Sequence, residues 1–333
     1  MTSKYDPVLK RIPQRPECPE IVFRQAGDGF LEVVYGNNEA SANKTIKDIL
    51  LRSFRVMVLN QQVRQADIPG LTETVPGAES LTYIYDPLEL NTDALIQRVS
   101  QLELALESVM DESFDVRVIR MPLAFDHSLI KKSIDKFTSE INPDAVYCKD
   151  GSNLDYIARY NGITVEDLKQ RFCGTEWIVS MVGFFPGLPF CYPLKPTGAL
   201  TCPKYNPART WTPEGAVDLA DYCMTIFGVA SGGGCQLVGR TIPIFQATPT
   251  HSQFAGNPAL FRPTDVISFY EETEEAVDHI YELIRQGQWE YQTSIRNFSV
   301  REWVEYYDSC ANDIRDLQEK QRRAQAELAG LEG

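Results

Sequence analysis

The chain has 333 residues, with 46 acids against 32 bases and a formal net charge of −14. Hydrophobic residues make up 43% and charged residues 23%, the balance of a globular chain long enough for two compact domains. The acidic excess argues against a nucleic-acid partner, whose phosphates need a basic face. No apolar run reaches bilayer-spanning length, the longest lying at about 177–185, and residues 1–20 are polar and Pro-rich without a signal segment. A cytoplasmic protein with no membrane partner is therefore expected. None of the eight cysteines shows CxxC spacing and only three histidines exist, which predicts reduced buried thiols and no metal site.

Residues 1–20 read as a lead-in, in which Pro13, Pro16 and Pro19 remove backbone donors. Two strands, 21–25 and 31–35, flank the turn signal Ala26-Gly27-Asp28-Gly29. Ile46, Ile49, Leu50, Phe54, Met57 and Val58 share one face of a helix over about 40–65, which Ile68-Pro69-Gly70 stops. A hairpin of 71–75 and 80–85 turns at Pro76-Gly77, a second amphipathic helix covers 91–110, and 115–122 reads as a closing strand. This order predicts a ferredoxin-like α+β domain over 21–125.

A helical connector follows over 126–175. Ser152 with Asp155, and Thr164 with Asp167, have the spacing of capping boxes with Asp in place of Glu. From residue 176, Pro and Gly become dense. Short β-rich runs at 177–182, 216–219, 224–227, 236–238, 242–245 and 266–270 predict an all-β barrel over 176–272. The tail, 273–333, reads as helical, with Ser299 and Glu302 at capping-box spacing. In it Trp303, Tyr307, Cys310, Ile314, Leu317, Gln321, Ala324, Leu328 and Leu331 alternate four and three apart, a seam for the chain's own barrel domain or for a partner.

Three segments of the barrel can carry chemistry. In Gly183-Phe-Phe-Pro-Gly-Leu-Pro-Phe190 the alternation of Gly, Pro and aromatics makes a stiff loop, either a structural turn or the wall of an apolar pocket. Lys204-Tyr-Asn-Pro-Ala-Arg-Thr-Trp-Thr-Pro-Glu214 gathers a cation, a guanidinium and amide donors suited to a carboxylate or an oxyanion, or else to ordinary surface ion pairs. Ser231-Gly-Gly-Gly-Cys-Gln-Leu-Val-Gly-Arg-Thr241 offers glycine amides for an anion nest, or a flexible hairpin. It lacks the Walker ending and the dinucleotide fingerprint. No GxSxG, no HExxH and no Ser/His/Asp set appears, and Cys235 reads as a packed thiol rather than a nucleophile.

Taken together and in this order, these three segments resemble the allophanate hydrolase subunit 1 family, also called the KipI family. The Tyr205 to Glu214 form is similar to the carboxyltransferase domain of urea carboxylase. Phe261-Arg-Pro-Thr-Asp-Val-Ile-Ser-Phe269 and Asn297-Phe-Ser-Val-Arg-Glu-Trp303 are similar to the segment leading toward the biotin carrier there. The resemblance implies a small α/β domain followed by a cyclophilin-like barrel. It implies carboxyl transfer from carboxybiotin to urea or a related amide or guanidine. No Met-Lys-Met acceptor is present, so biotin is expected on a separate carrier and biotin carboxylase chain, and the second lobe on a subunit 2-type (KipA-like) partner. The residues expected to act are Lys204 and Arg209 on carboxylate or ureido oxygen, Asn206 and Gln236 in orientation, Arg240, and Glu214 as base. Phe185, Pro186, Tyr205, Thr210, Thr212, Gly232, Gly233, Gly234 and Thr241 are expected to contact substrate or biotin. Two further readings stay open. One is a subunit of a biotin-independent, ATP-dependent 5-oxoprolinase. The other is a non-catalytic protein of the kinase-inhibitor type.

Overall fold

A computed structural model describes residues 6–36 and 44–332, with side chains through 329. It divides into two compact units, one of residues up to 114 together with 298–304, the other of 115–297 together with 305 onward.

In the first unit, strands β1 (Val8–Ile12), β2 (Ile21–Gln25) and β3 (Phe30–Tyr35) precede helix α1 (Ile46–Gln65). Strands β4 (Leu71–Pro76) and β5 (Ser80–Tyr85) and helix α2 (Thr92–Ala105) follow. The sheet is antiparallel in the order β1-β2-β3-β5-β4. Residues 40–43 of the expected first helix lie outside the described residues. The helix begins at Ile46 because Thr45 and Asp48 form a capping box: Asp48 N–H donates to Thr45 Oγ1 at 3.1 Å and Thr45 N–H to Asp48 Oδ2 at 3.0 Å. Inside the unit, Arg55 donates to the fully buried Glu103 carboxylate at 3.0 and 3.2 Å, and Tyr35 donates its hydroxyl to the same group.

Two expectations change here. The lead-in contributes β1. The closing strand also leaves this sheet, so the unit has no complete ferredoxin-like βαββαβ order. Its place beside β3 is already filled by β2, with Ile21 opposite Tyr35. The strand β6 (Ser113–Phe125) instead enters the barrel, where Val116, Ile119, Met121 and Leu123 are buried.

The second unit begins with helices α3 (Ser128–Glu140), α4 (Leu154–Tyr160) and α5 (Val165–Cys173). Strands β7 (Glu176–Val182), β8 (Pro189–Pro193), β10 (Ala216–Ala220), β11 (Cys223–Ile226), β13 (Gln236–Arg240) and β14 (Val266–Glu271) join β6 in a closed ring of seven. The order is β13-β10-β11-β8-β7-β14-β6, and β6 returns to β13. Two short strands, β9 (Arg209–Thr212) and β12 (Ser231–Gly233), form a separate antiparallel ladder. The run 242–245 is not a strand; it makes one isolated bridge, Phe245 to Ala259. The expected stiff loop is a loop over 183–188, and only its last two residues, Pro189 and Phe190, enter β8. The tail is not wholly helical: α6 (Glu274–Arg285) is followed by strand β15 (Gln292–Ser299), then α7 (Val300–Ser309) and α8 (Ala311–Glu332).

The Thr164 box forms with both bonds, 3.1 and 3.4 Å, and Ser299 accepts from Glu302 N–H at 3.3 Å. Ser152 does not form the expected box. Helix α4 starts at Leu154 with Asn153 as its cap residue, so Ser152 accepts from Leu154 N–H at 3.1 Å instead. No helix among the described residues is long and apolar enough to cross a membrane.

The tail seam divides between the units: Trp303 belongs to the first, where its ring meets Phe54 edge-on, and the seam from Tyr307 onward belongs to the second. Helix α8 packs on α4 and on the turn Pro196–Gly198, with Leu317, Gln321 and Leu328 covered; Leu331 lies outside the described side chains. Gly162, at φ +65°, admits the helix, since a Cβ there would meet Ala324 Cβ at 3.2 Å. Gln321 Nε2 donates to Asn161 Oδ1 at 2.8 Å and to Ala199 O at 3.1 Å. Gln321→Ala removes that buried donor and should cost about 1–3 kcal/mol. A melting temperature equal to that of the parent chain would show that the helix is held by its apolar residues alone.

Candidate functional site

Arg209 opens β9 and is buried. Its Nε donates to Thr212 Oγ1 at 3.3 Å and its Nη1 to Cys235 O at 2.6 Å, while Nη2 is buried without a protein partner. The guanidinium lies over the Tyr205 ring, 4.3 Å from its centroid. The ladder partner of Arg209 is Gly233. A Cβ at Gly233 would lie 2.7 Å from Phe227 Cζ and 3.3 Å from Arg209 Nη2, so glycine lets ring and guanidinium approach together.

Tyr205 is fixed in turn by Asn153. The phenol donates to Asn153 Oδ1 at 2.7 Å, and the same oxygen accepts Leu237 N–H at 2.8 Å; Asn153 Nδ2 donates to Tyr147 O at 2.6 Å. One buried amide thus joins the connector, β13 and the ring under Arg209. The Tyr205 N–H donates to Gly234 O at 2.6 Å, tying the 204–208 segment to the glycine run. Lys204 and Asn206 are exposed at this end, and Tyr147 Oη approaches both N and O of Asn206 at 3.4 Å.

Two further buried groups line the same region. Gln236 Nε2 donates to Pro203 O at 2.9 Å, leaving Oε1 without a protein partner. Asp218, on β10, accepts from Thr225 Oγ1 opposite it on β11, and its Oδ2 also has no protein partner. Burial pushes the Asp218 carboxyl up to about 6 against the pull of Thr225, Arg209, the Cys235 thiol and Lys204. Burial raises the Cys235 thiol, keeping it protonated and a poor nucleophile.

The expected site residues divide into two groups. Lys204, Tyr205, Asn206, Arg209, Gly233, Gly234 and Gln236 gather at the Arg209–Gly233 end of the ladder, and Thr212, from its other end, reaches back to Arg209 Nε through Oγ1. Glu214 and Arg240 lie apart from them, toward the Thr212–Ser231 end, in a groove of about 430 Å³ with Trp211, Ala230 and Tyr281. Arg240 donates to Glu214 O at 3.2 Å and to Asp278 Oδ1 at 2.5 Å, and stacks 4.4 Å from the Tyr281 ring. Glu214, the expected base, is therefore not among the groups around Arg209; its charge acts on Tyr281, whose hydroxyl burial and Glu214 both raise. His127, Glu274 and Asp278 bring three potential metal-ligand atoms within 4.8 Å, but the Arg240 guanidinium already supplies a cation there, 3.4 Å from His127 Nε2.

The remaining expectations resolve singly. Ser231–Gly233 forms the β12 side of the ladder, and none of Gly232, Gly233 and Gly234 has positive φ, so the glycine amides do not form a nest. Thr241 donates to Pro122 O at 2.5 Å, a bond inside the barrel wall. Thr210 and Pro186 are exposed, and Phe185 packs against the core that holds Tyr205 and Phe227. Neither Asp218 nor Asn153 belongs to the three segments expected to carry chemistry.

The carboxyltransferase domain family, subdomain C and D, matches residues 21–255. The chain belongs to this family. It is 29% identical to a putative urea carboxylase of Emericella nidulans over 99% of this chain and 27% of that protein. It is similar also to a 5-oxoprolinase component of Bacillus subtilis, at 26% identity over 76% of this chain and 93% of that protein. Among solved structures, the urea carboxylase of Kluyveromyces lactis superposes with a TM-score of 0.82 at 27% identity, covering 98% of this chain and 29% of that one. The chain thus spans little more than a quarter of these urea carboxylases.

Gly233→Ala tests the packing of the site. The added methyl must displace Phe227 or Arg209, and overpacking of this kind costs about 1–3 kcal/mol. A lowered melting temperature is expected, and an unchanged one would mean that the ladder yields freely.

Proposed function

We propose that this chain is the carboxyltransferase component of a biotin-dependent, urea carboxylase-like enzyme. It would act with a subunit 2-type partner and move a carboxyl group to urea or a related amide or guanidine. Similarity over nearly the whole chain supports the reading, and we take the barrel as cyclophilin-like. One observation in the site carries it: two cations, Lys204 and Arg209, flank the Tyr205 that ties their segment to Gly234 at one end of the β9–β12 ladder. Lys204 stands at the surface, while the buried Arg209 keeps Nη2 free of protein partners beneath Gly233. That donor set fits the carboxylate of carboxybiotin. Carboxybiotin, when delivered on its carrier, supplies the carboxyl group.

The protein's share is positioning and charge. Lys204 meets the anion, Asn206 orients the acceptor beside it, and Arg209 strengthens the positive potential from below, where a low dielectric magnifies it. A second reading, a component of an ATP-dependent 5-oxoprolinase, draws support from the match over 93% of the Bacillus subtilis protein.

Two substitutions test the assignment in the assembled enzyme. Lys204→Ala should lower carboxyl transfer on the order of 10²-fold, as loss of an oxyanion-type donor does, with the melting temperature unchanged because the side chain is exposed. Arg209→Lys should lower transfer comparably and also lower stability, because the bonds to Thr212 and Cys235 go with the fork. Near-normal transfer in both would remove the cation pair from the reaction. The partner is tested by light scattering of the co-expressed chains: a stable complex burying more than about 1,500 Å² is expected, and two separate monomers would exclude it.

A further inference from the structure

Asn153 immediately precedes helix α4, the position from which an asparagine normally caps its own helix. Here its side chain makes no cap bond, and Ser152 Oγ accepts the Leu154 N–H at 3.1 Å in its place. The amide is turned inward and buried. Its Oδ1 accepts the Tyr205 hydroxyl at 2.7 Å and the Leu237 N–H at 2.8 Å. Its Nδ2 donates to Tyr147 O at 2.6 Å and reaches Cys148 Sγ at 3.9 Å. Both lone pairs and both N–H groups of the amide are therefore engaged.

Two of these bonds lead directly to the Gly233 end of the ladder. Tyr205 is held at its hydroxyl by Asn153 and at its backbone N–H by Gly234 O, 2.6 Å away. A ring pinned at both ends has one position, and the Arg209 guanidinium lies over it, 4.3 Å from the centroid. Lys204 and Asn206 adjoin Tyr205 in the chain, and a Cβ at Gly234 would lie 3.9 Å from Lys204 Cβ. Tyr147, whose carbonyl takes the other side of the amide, packs its ring 4.5 Å from that of Tyr205. Its hydroxyl then reaches N and O of Asn206 at 3.4 Å. Leucine would match the shape of Asn153 but satisfy none of these partners, and an ionised aspartate would have no donor for Tyr147 O.

We propose that Asn153 is a positioning residue, which sets the Tyr205 ring beneath the Arg209 guanidinium and so fixes the depth at which Nη2 meets the carboxylate. The reaction it would serve is the carboxyl transfer proposed above, and to that extent the inference rests on that reading; the placement of Arg209 does not.

The amide has a chemical signature that packing alone does not share. In Asn153→Asp a protonated carboxyl reproduces it: one oxygen accepts from Tyr205 and Leu237, and the O–H donates to Tyr147 O. The ionised acid loses that donor and sets a charge against the carbonyl. Burial holds such a carboxyl above its ordinary range. The titratable groups around it are Tyr147 and Cys148 from the turn before α4, Tyr205 from the segment before β9, and Arg209 beyond the Tyr205 ring. Asp126, after β6, is engaged by the Ser152 hydroxyl at 2.6 Å. Burial raises Tyr147, Cys148 and Tyr205, so these three stay protonated between pH 6 and pH 8 while the introduced acid changes charge.

Two readouts decide the proposal. In the full chain without partners, hydrogen exchange at Arg209 Nε–H, followed by NMR at pH 7, should be about tenfold faster or more in Asn153→Ala and in Tyr205→Phe. Tyr205→Phe removes only the hydroxyl and keeps the ring, so it decides the point where Asn153→Ala does not fold. Unchanged exchange in Tyr205→Phe overturns the positioning role whatever the substrate is. In the assembled enzyme, below the melting temperature of each variant, kcat for carboxyl transfer should fall on the order of tenfold or more in each single variant. The double variant should be no slower than the slower single one, because both changes cut the same link. Losses that multiply overturn the link. Asn153→Asp should be about tenfold slower than the parent or more at pH 8 and recover toward the parent at pH 6. A deficit that stays level across that range overturns the proposal. Faster exchange in the variants, with no transfer by the parent enzyme, supports the placement and rejects the carboxyltransferase reading.

Discussion

A guanidinium cannot shed its charge, so burying one makes every group around it answerable to it. Arg209 is that group here. Its Nη1 requires a carbonyl, which fixes Cys235; its Nε requires an oxygen, which fixes Thr212; its face requires an aromatic ring, which fixes Tyr205. Tyr205 then needs an acceptor for its hydroxyl, and Asn153 supplies it while also holding β13 through Leu237 N–H. The glycine run follows from the same demand, because only hydrogen at Gly233 leaves room for both the guanidinium and Phe227. Three segments remote in sequence therefore converge for one electrostatic reason.

Much of this architecture could be read from residue patterns. The strands 21–25 and 80–85 are found where alternation and turn signals put them, and the barrel strands at 177–182, 216–219 and 266–270 are displaced by a residue at most. Periodicity could not say which sheet a strand would join. The 115–122 run alternates as well for an open α/β sheet as for a barrel, and the choice is made by β2 occupying the first sheet's free position. Strand β8 was hidden because Pro189 and Pro193 mark its ends and read as turn residues, although prolines at strand ends cost no interior ladder bond.

The site was legible by chemical type and not by depth. Arg209, Tyr205, Thr212 and Gly233 belong to conspicuous loops, and they do meet. Glu214 shares the same loop and yet faces the Arg240 groove, since chain proximity does not set direction across a two-stranded ladder. Asp218 had one signal, a single acid within the apolar run Ala216-Val-Asp-Leu-Ala220, and Asn153 had none, because a buried amide serving three partners looks like any loop asparagine. Glu103 is similar: on an amphipathic helix it reads as solvated, and only the fold brings Arg55 and Tyr35 to it.

Strand β6 carries a consequence for how the barrel comes into being. It pairs with β14 in register from Val118 opposite Val266 to Leu123 opposite Glu271, a separation of well over a hundred residues. The ring is thus sealed by the most distant pairing in its own sequence, and contacts of that span are slow to form. On a growing chain, β6 emerges early and must wait for β14 with its backbone donors and acceptors open on that side. Until residue 271 is available, the barrel is a curled sheet with two bare margins, the configuration in which one copy can most readily take a strand from another.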